Sequence, residues 1–159
     1  MPVINHEEIA SRIPHAGTMC LLDSVTDWGP DHIHCRASSH RDPANPLRSN
    51  GRLGVLCGIE YAAQAMAMHG GLRAASSGDG VGQRPKAGFL ASVRSVSAHV
   101  ARLDDRASDL LIEARRVSGD EGLVMYEFVV RDADQFSLIE GRAAVVMDAG
   151  ALLPTETTP

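Results

Sequence analysis

The chain has 159 residues, of which 44% are hydrophobic and 22% charged, with a formal net charge of -5 at pH 7. This composition is that of a globular domain, and the acidic balance gives no electrostatic support to a nucleic-acid partner. No stretch approaches the roughly eighteen apolar residues of a membrane span, and the N-terminus lacks the features of a secretory signal. We therefore expect a cytoplasmic protein with one domain over residues 1–148 and a disordered tail over 149–159.

The first third of the chain predicts a short helix and two strands. Asn5 is a helix cap with Glu8 three residues later, which is the spacing of a capping box. Met19–Trp28 and Asp31–Ala37 have the composition and the flanking turn residues of two paired strands. A loop rich in Pro and Asn follows over Arg41–Gly51.

The middle of the chain predicts one long helix over Leu53–Leu72, ended by Gly70 and Gly71 and followed by a connector over residues 75–83. The helix is apolar or small nearly all round, which is typical of a helix buried on most sides. Its one carboxylate is Glu60. Because an unpaired buried charge costs several kcal/mol, Glu60 is a candidate functional acid. The alternative is an acid paired with Arg at an interface.

The last third predicts four strands with short turns between them, and therefore an antiparallel meander. The strands are Gly88–His99, Ala107–Val117, Gly122–Arg131 and Ser137–Met147. A single helix that is apolar on all sides needs a sheet curved around it. This arrangement is the α+β hotdog fold, an antiparallel sheet wrapped around one long central helix.

Two motifs resemble those of a known family. IPHAGTMCLLDSV, Ile13–Val25, resembles the opening of hotdog 3-hydroxyacyl-[acyl-carrier-protein] dehydratases, and its PHxGxMxLLD pattern is similar to that of the divergent dehydratases of aryl polyene clusters. GIEYAAQAMA resembles their central helix, with an E-x-x-A-Q pattern formed here by Glu60, Ala63 and Gln64. The two motifs occur in the order that the family requires.

The resemblance implies a dimer with substrate tunnels at the subunit interface, and a substrate carried on the phosphopantetheine arm of an acyl carrier protein. It implies acid–base elimination of water with no cofactor and no metal. Glu60 would be the acid. Gln64 lies one turn along the same face, where it could orient the Glu60 carboxyl and bind substrate, or play a structural part. The backbone amides of Gly54 and Val55 would bind the thioester carbonyl.

The source of the base is open, because this chain departs from the family pattern. The common dehydratases carry their catalytic His in an NGHFPG-like segment, and here SNGRLG places Arg52 where that His stands. His15, in the constrained PHAG turn, is the leading candidate for the base, although it could instead anchor the N-terminal loop. His40 is a second candidate. His69, at the predicted helix end, is expected to be a cation favoured by the helix dipole.

Other charged residues give weaker signals. Arg48 and Arg52 flank the predicted helix entry and are candidate contacts of an acidic carrier protein, or plain surface residues. His32 and His34 alternate along one strand, but no third ligand has supporting spacing, so a solvated strand face is expected there and not a metal site.

Two alternatives to a dehydratase remain open at this point. A hotdog acyl thioesterase would use the helix carboxylate to activate water or to attack the thioester. A non-catalytic hotdog subunit would instead pair with an active dehydratase, as a heterodimer in place of a homodimer. The Arg52 departure is the feature that supports the second alternative.

Overall fold

The computed structural model describes residues 3–13, 17–76, 89–120 and 122–146. The predicted tail over 149–159 lies outside these residues. The α-helices are α1 (His6–Arg12) and α2 (Gly58–Ser76), with 3-10 turns at Gly17–Met19, Ser39–Arg41 and Val55–Cys57. The strands are β1 (Ile4–Asn5), β2 (Ser24–Gly29), β3 (His32–Ala37), β4 (Phe89–Ala98), β5 (Leu110–Gly119), β6 (Leu123–Arg131) and β7 (Ser137–Val146).

The strands form one antiparallel sheet in the order β1-β2-β3-β5-β6-β7-β4, and α2 packs against β3, β5, β6 and β7. Alternate residues of β5 and β6 point to the helix side, because successive side chains of a strand face opposite sides of the sheet. The buried ones are Leu110, Ile112, Ala114, Val124, Tyr126, Phe128 and Val130. The predicted architecture, a sheet wrapped around one central helix, is confirmed.

Both predicted ends of the central helix are wrong. The α-helix begins at Gly58 and not at Leu53, because the N–H of Leu53 donates to the Asp104 side chain and that of Val55 to the Ala101 carbonyl. These bonds keep Leu53 and Gly54 out of the helix, and Val55–Cys57 forms a 3-10 turn before the α-helix begins. At the other end, α2 continues through the glycine pair to Ser76. Burial against the sheet offsets the cost of glycine in a helix, about 1 kcal/mol per residue.

The predicted meander is correct for β5, β6 and β7 and wrong for β4. β4 pairs with β7 at the edge of the sheet, while β5 pairs with β3. The segment over residues 99–109 connects β4, at the edge of the sheet, to β5 in its middle. This segment is tied to the entry of α2, since the Leu103 N–H donates to the Leu53 carbonyl at 2.8 Å.

The N-terminal elements follow the prediction in part. Asn5 caps α1 by accepting the Glu8 N–H at 3.0 Å. The strand predicted from Met19 begins only at Ser24, because the Leu21 N–H donates to a side chain of α2 instead of to a neighbouring strand. β1 was not predicted, since two residues are too short to show a periodicity.

The three cysteines are free. Cys20 and Cys35 are buried and Cys57 is half-buried. Burial raises the pKa of Cys35 to about 12, so this thiol is a packing group and not a nucleophile.

His69 is not the helix-end cation that the sequence predicts. Its side chain is fully buried, and the helix continues for about two more turns beyond it. Its Nε2 donates to the Gly29 carbonyl at 2.7 Å, and its Nδ1 accepts the Tyr126 hydroxyl at 2.7 Å. Burial lowers the pKa of His69, and the nearby positive charges of Arg73 and Arg116 act in the same direction.

The unfolding free energy should therefore decrease as the pH is lowered from about 7.5 to about 5.5. The folded state holds His69 neutral, whereas the unfolded chain takes up the proton below the ordinary His pKa of about 6.5. Each proton taken up on unfolding contributes at most about 1.4 kcal/mol per pH unit. Urea unfolding of wild type and His69→Gln at three pH values measures this contribution, and the variant should show a smaller pH slope. An unchanged slope would contradict it.

Neither helix in the described part of the chain is long and apolar enough to cross a lipid bilayer.

Candidate active site

Glu60 lies in the first turn of α2 and is half-buried. Its Oε1 accepts a hydrogen bond from Gln64 Nε2 at 3.3 Å. The four-residue spacing that places the two side chains on one helix face therefore brings them into contact, as the sequence predicts.

Gln64 is fully buried and joins the helix to the N-terminal loop. Its Oε1 accepts the Leu21 N–H at 2.9 Å, and its Nε2 donates to the Met19 carbonyl at 2.7 Å. Because an N–H only donates and a carbonyl only accepts, these two bonds fix which end of the amide is oxygen. The remaining N–H of Gln64 is thereby directed at Glu60.

A second set of polar side chains reaches the same loop from the other side. Ser39 Oγ donates to the Leu21 carbonyl at 2.8 Å and lies 2.7 Å from the Tyr61 hydroxyl. Asn45 Nδ2 donates to the Tyr61 oxygen at 3.1 Å. Sequence reasoning missed all three, because Tyr61 lies within an otherwise apolar helix and the other two lie in loops far from it in sequence.

The two predicted backbone donors differ in availability. The Val55 N–H already donates to the Ala101 carbonyl at 3.1 Å, so it is occupied. Gly54 lies beside open space, since a Cβ built on it meets no described atom within 4 Å. Gly54 is thus the better placed of the two to approach a thioester carbonyl.

The two predicted docking arginines also differ. Arg48 donates to the carbonyl oxygens of Asp42, Gly51 and His40 at 2.9, 3.3 and 3.1 Å, and lies 3.6 Å from Asp104. Its side chain is only 17% exposed. Arg48 therefore holds the loop before the helix together.

Arg52, by contrast, is exposed at the end of that loop. Its guanidinium is accessible to a partner.

The histidines near the site have distinct environments. His15 lies outside the described residues. His40 is fully buried, its Nε2 donates to the Arg106 carbonyl at 3.1 Å, and burial lowers its pKa. His32 contacts Asp27 at 2.8 Å, and His34 lies on the same strand. Within the described ranges, no three His, Cys, Asp or Glu residues come together as metal ligands.

The curved antiparallel sheet, the central helix and the acid in its first turn define a hotdog-fold protein. A sequence model of the ApeP-like family, described as ApeP dehydratase, matches residues 7–152. The chain belongs to this family. It is therefore a dehydratase-like hotdog protein, and the family does not favour the thioesterase alternative.

Solved structures show the same fold. The dehydratase heterocomplex ApeI:P from Xenorhabdus doucetiae contains a chain with 24% identity and a TM-score of 0.76, covering 94% of this chain and 92% of the other. Zebrafish thioesterase superfamily member 2 has 12% identity and a TM-score of 0.57, with coverages of 91% and 99%. The thioesterase HI1161 from Haemophilus influenzae has 13% identity and a TM-score of 0.55, with coverages of 96% and 95%. No curated protein matches the sequence.

Proposed function

We propose that this chain removes water from 3-hydroxyacyl thioesters that an acyl carrier protein presents on its phosphopantetheine arm, in aryl polyene biosynthesis. The observation that carries the proposal is the half-buried Glu60 carboxyl, held by Gln64 in the first turn of the central helix of an ApeP-like protein. A base takes the C2 proton of the acyl chain. Protonated Glu60 gives its proton to the C3 hydroxyl, the C3–O bond breaks, and water and a 2,3-double bond result.

His15 is our proposed base. Its motif supports this role. The presence of Arg52 where the common dehydratases carry their catalytic His supports it as well. Residues 18–22 directly follow the PHAG motif in sequence, and hydrogen bonds of Met19 and Leu21 anchor them to Gln64. The Gly54 amide is our proposed donor to the thioester carbonyl, whose negative charge grows as the C2 proton leaves.

Pairing with a second hotdog subunit is part of the proposal. In the described part of the chain, no strand covers the outer edge of β4, a strand of ten residues. β4 carries one charged residue, Arg94, and exposes Leu90 and Val96 by 39% and 37%. Such an edge is a template for another strand. The Xenorhabdus dehydratase heterocomplex supports a partner of related fold, and a second copy of this chain is the alternative.

The proposed activity can be tested by incubating the chain with a 3-hydroxyacyl carrier protein, first alone and then with a candidate hotdog partner. Enoyl thioester is detected by its ultraviolet absorbance and free thiol with a thiol reagent. Enoyl formation supports a dehydratase. Thiol release without enoyl product would indicate a thioesterase. Enoyl product that forms only after the partner is added, and still forms with Glu60→Gln, would indicate a non-catalytic subunit.

Carrier docking is expected to depend on Arg52. Arg52→Glu should raise KM for the carrier-bound substrate about fivefold, the equivalent of about 1 kcal/mol, because a bidentate contact to phosphate is replaced by repulsion. A short pantetheine thioester makes fewer such contacts and should be less affected. Equal losses with both substrates would rule out a docking role.

Arg48→Glu is the matched control for this charge reversal. It removes the bonds that hold the loop over residues 40–51, so it should lower the unfolding free energy by about 2 kcal/mol. Arg52→Glu should leave the unfolding free energy nearly unchanged.

A further inference from the structure

The polar side chains around Tyr61 form a hydrogen-bond chain with a single direction. Ser39 has one hydroxyl proton, and the Leu21 carbonyl can only accept, so Ser39 donates to Leu21. The Tyr61 hydroxyl must then donate to Ser39. Asn45 Nδ2 donates to the Tyr61 oxygen, and this amide orientation is fixed because Asn45 Oδ1 accepts the Leu47 N–H at 2.9 Å.

The hydrogen-bond chain reaches Glu60 through Leu21. Leu21 accepts Ser39 with its carbonyl and donates to Gln64 with its N–H. Gln64 in turn donates to Glu60. Every side chain in this series therefore has its hydrogen bonds oriented so that the last donor is directed at the Glu60 carboxyl.

We propose that Tyr61, Ser39 and Asn45 are positioning residues that fix the loop at Leu21, and through Gln64 the carboxyl of Glu60. The proposal rests on the function proposed above. Tyr61 and Asn45 are 0% and 6% exposed, and hydrogen bonds in such a low-dielectric interior are strong and costly to leave unmade. A catalytic group misplaced by about 1 Å can lose about 100-fold in rate, so remote anchoring of this kind affects turnover.

Tyr126 provides a matched control. It is the other buried tyrosine, 2% exposed, and its hydroxyl donates a side-chain hydrogen bond to His69, as the Tyr61 hydroxyl does to Ser39. That series ends at the Gly29 carbonyl instead of at Glu60. Removal of either hydroxyl by Tyr→Phe deletes the same atom from an equally buried site.

The test compares Tyr61→Phe, Ser39→Ala and Tyr126→Phe with the 3-hydroxybutyryl thioester of N-acetylcysteamine as probe, with the hotdog partner present if activity requires it. Tyr61→Phe and Ser39→Ala should lower kcat about 10- to 100-fold and change KM less than about twofold. Ser39→Thr, which keeps the hydroxyl, should restore most of kcat. Tyr126→Phe should lower the unfolding temperature and leave kcat unchanged. Unchanged kcat in the first two variants, or an equal loss in Tyr126→Phe, would overturn the proposal.

A second measurement does not depend on activity. In an ¹H–¹⁵N spectrum, the side-chain NH₂ signals of Gln64 should shift in Ser39→Ala and in Tyr61→Phe and keep their positions in Tyr126→Phe. If the wild type fails to dehydrate the probe even with a partner, the proposed function fails, and the Gln64 signals still decide whether the series positions Glu60. Signals that stay in place in both variants would overturn the positioning role.

Discussion

Glu60→Gln should abolish dehydration and leave the fold intact. The substitution removes the proton that the departing hydroxyl needs, and general acid catalysis contributes about 10²- to 10⁴-fold to a rate. The new amide oxygen can still accept the Gln64 N–H, so the helix and the loop should keep their positions. Enoyl thioester formation measures the loss, and circular dichroism with thermal unfolding verifies the fold.

Glu113→Gln is the matched control for this substitution. Glu113 contacts Arg131 at 2.8 Å on a solvent-accessible part of the sheet, so its removal should change turnover little. If Glu60→Gln turned over substrate at the wild-type rate, the acid would have to be another residue.

Two inactive variants should restore activity to each other if each site takes its base from one subunit and its acid from the other. His15→Ala and Glu60→Gln are unfolded, mixed in equal amounts and refolded together. Random pairing makes half of the dimers mixed, and each mixed dimer then has one intact site of two. About a quarter of the wild-type activity should return, as expected for a symmetric dimer.

No restored activity would mean that one subunit supplies both groups, or that a different hotdog subunit supplies the base. If His15→Ala alone kept full activity, His15 would be a loop anchor. His40 is then a poor substitute, because it is fully buried and bonded to the Arg106 carbonyl.

The features that the sequence predicts correctly are encoded locally. The central helix follows from a run of small and apolar residues that leaves no polar face, and β5, β6 and β7 follow from short turns between alternating segments. The contact between Glu60 and Gln64 follows from helical geometry, since residues four apart are neighbours on one face.

The features that the sequence does not predict depend on contacts between distant segments. No local pattern states that β4 pairs with β7, because the choice of edge strand depends on how the segment over residues 99–109 crosses the fold. The bond between Leu21 and Gln64 joins residues that are 43 positions apart. The sequence around His69 resembles a helix end, and only its burial beside Tyr126, which lowers its pKa, distinguishes it from a helix-end cation.

The edge of β4 has a consequence for how the protein is made. Strand edges that stay exposed are usually protected by several charges, a proline, a bulge or a very short length. β4 has ten residues and one arginine, and its protection is limited to the register shifts between Leu90 and Ser92 and between Arg94 and Ser97. If the proposed second subunit pairs along this edge, a newly synthesised chain exposes unpaired backbone N–H and C=O groups of β4 until that subunit binds. Expression together with that subunit should give soluble material where expression of the chain alone gives aggregates.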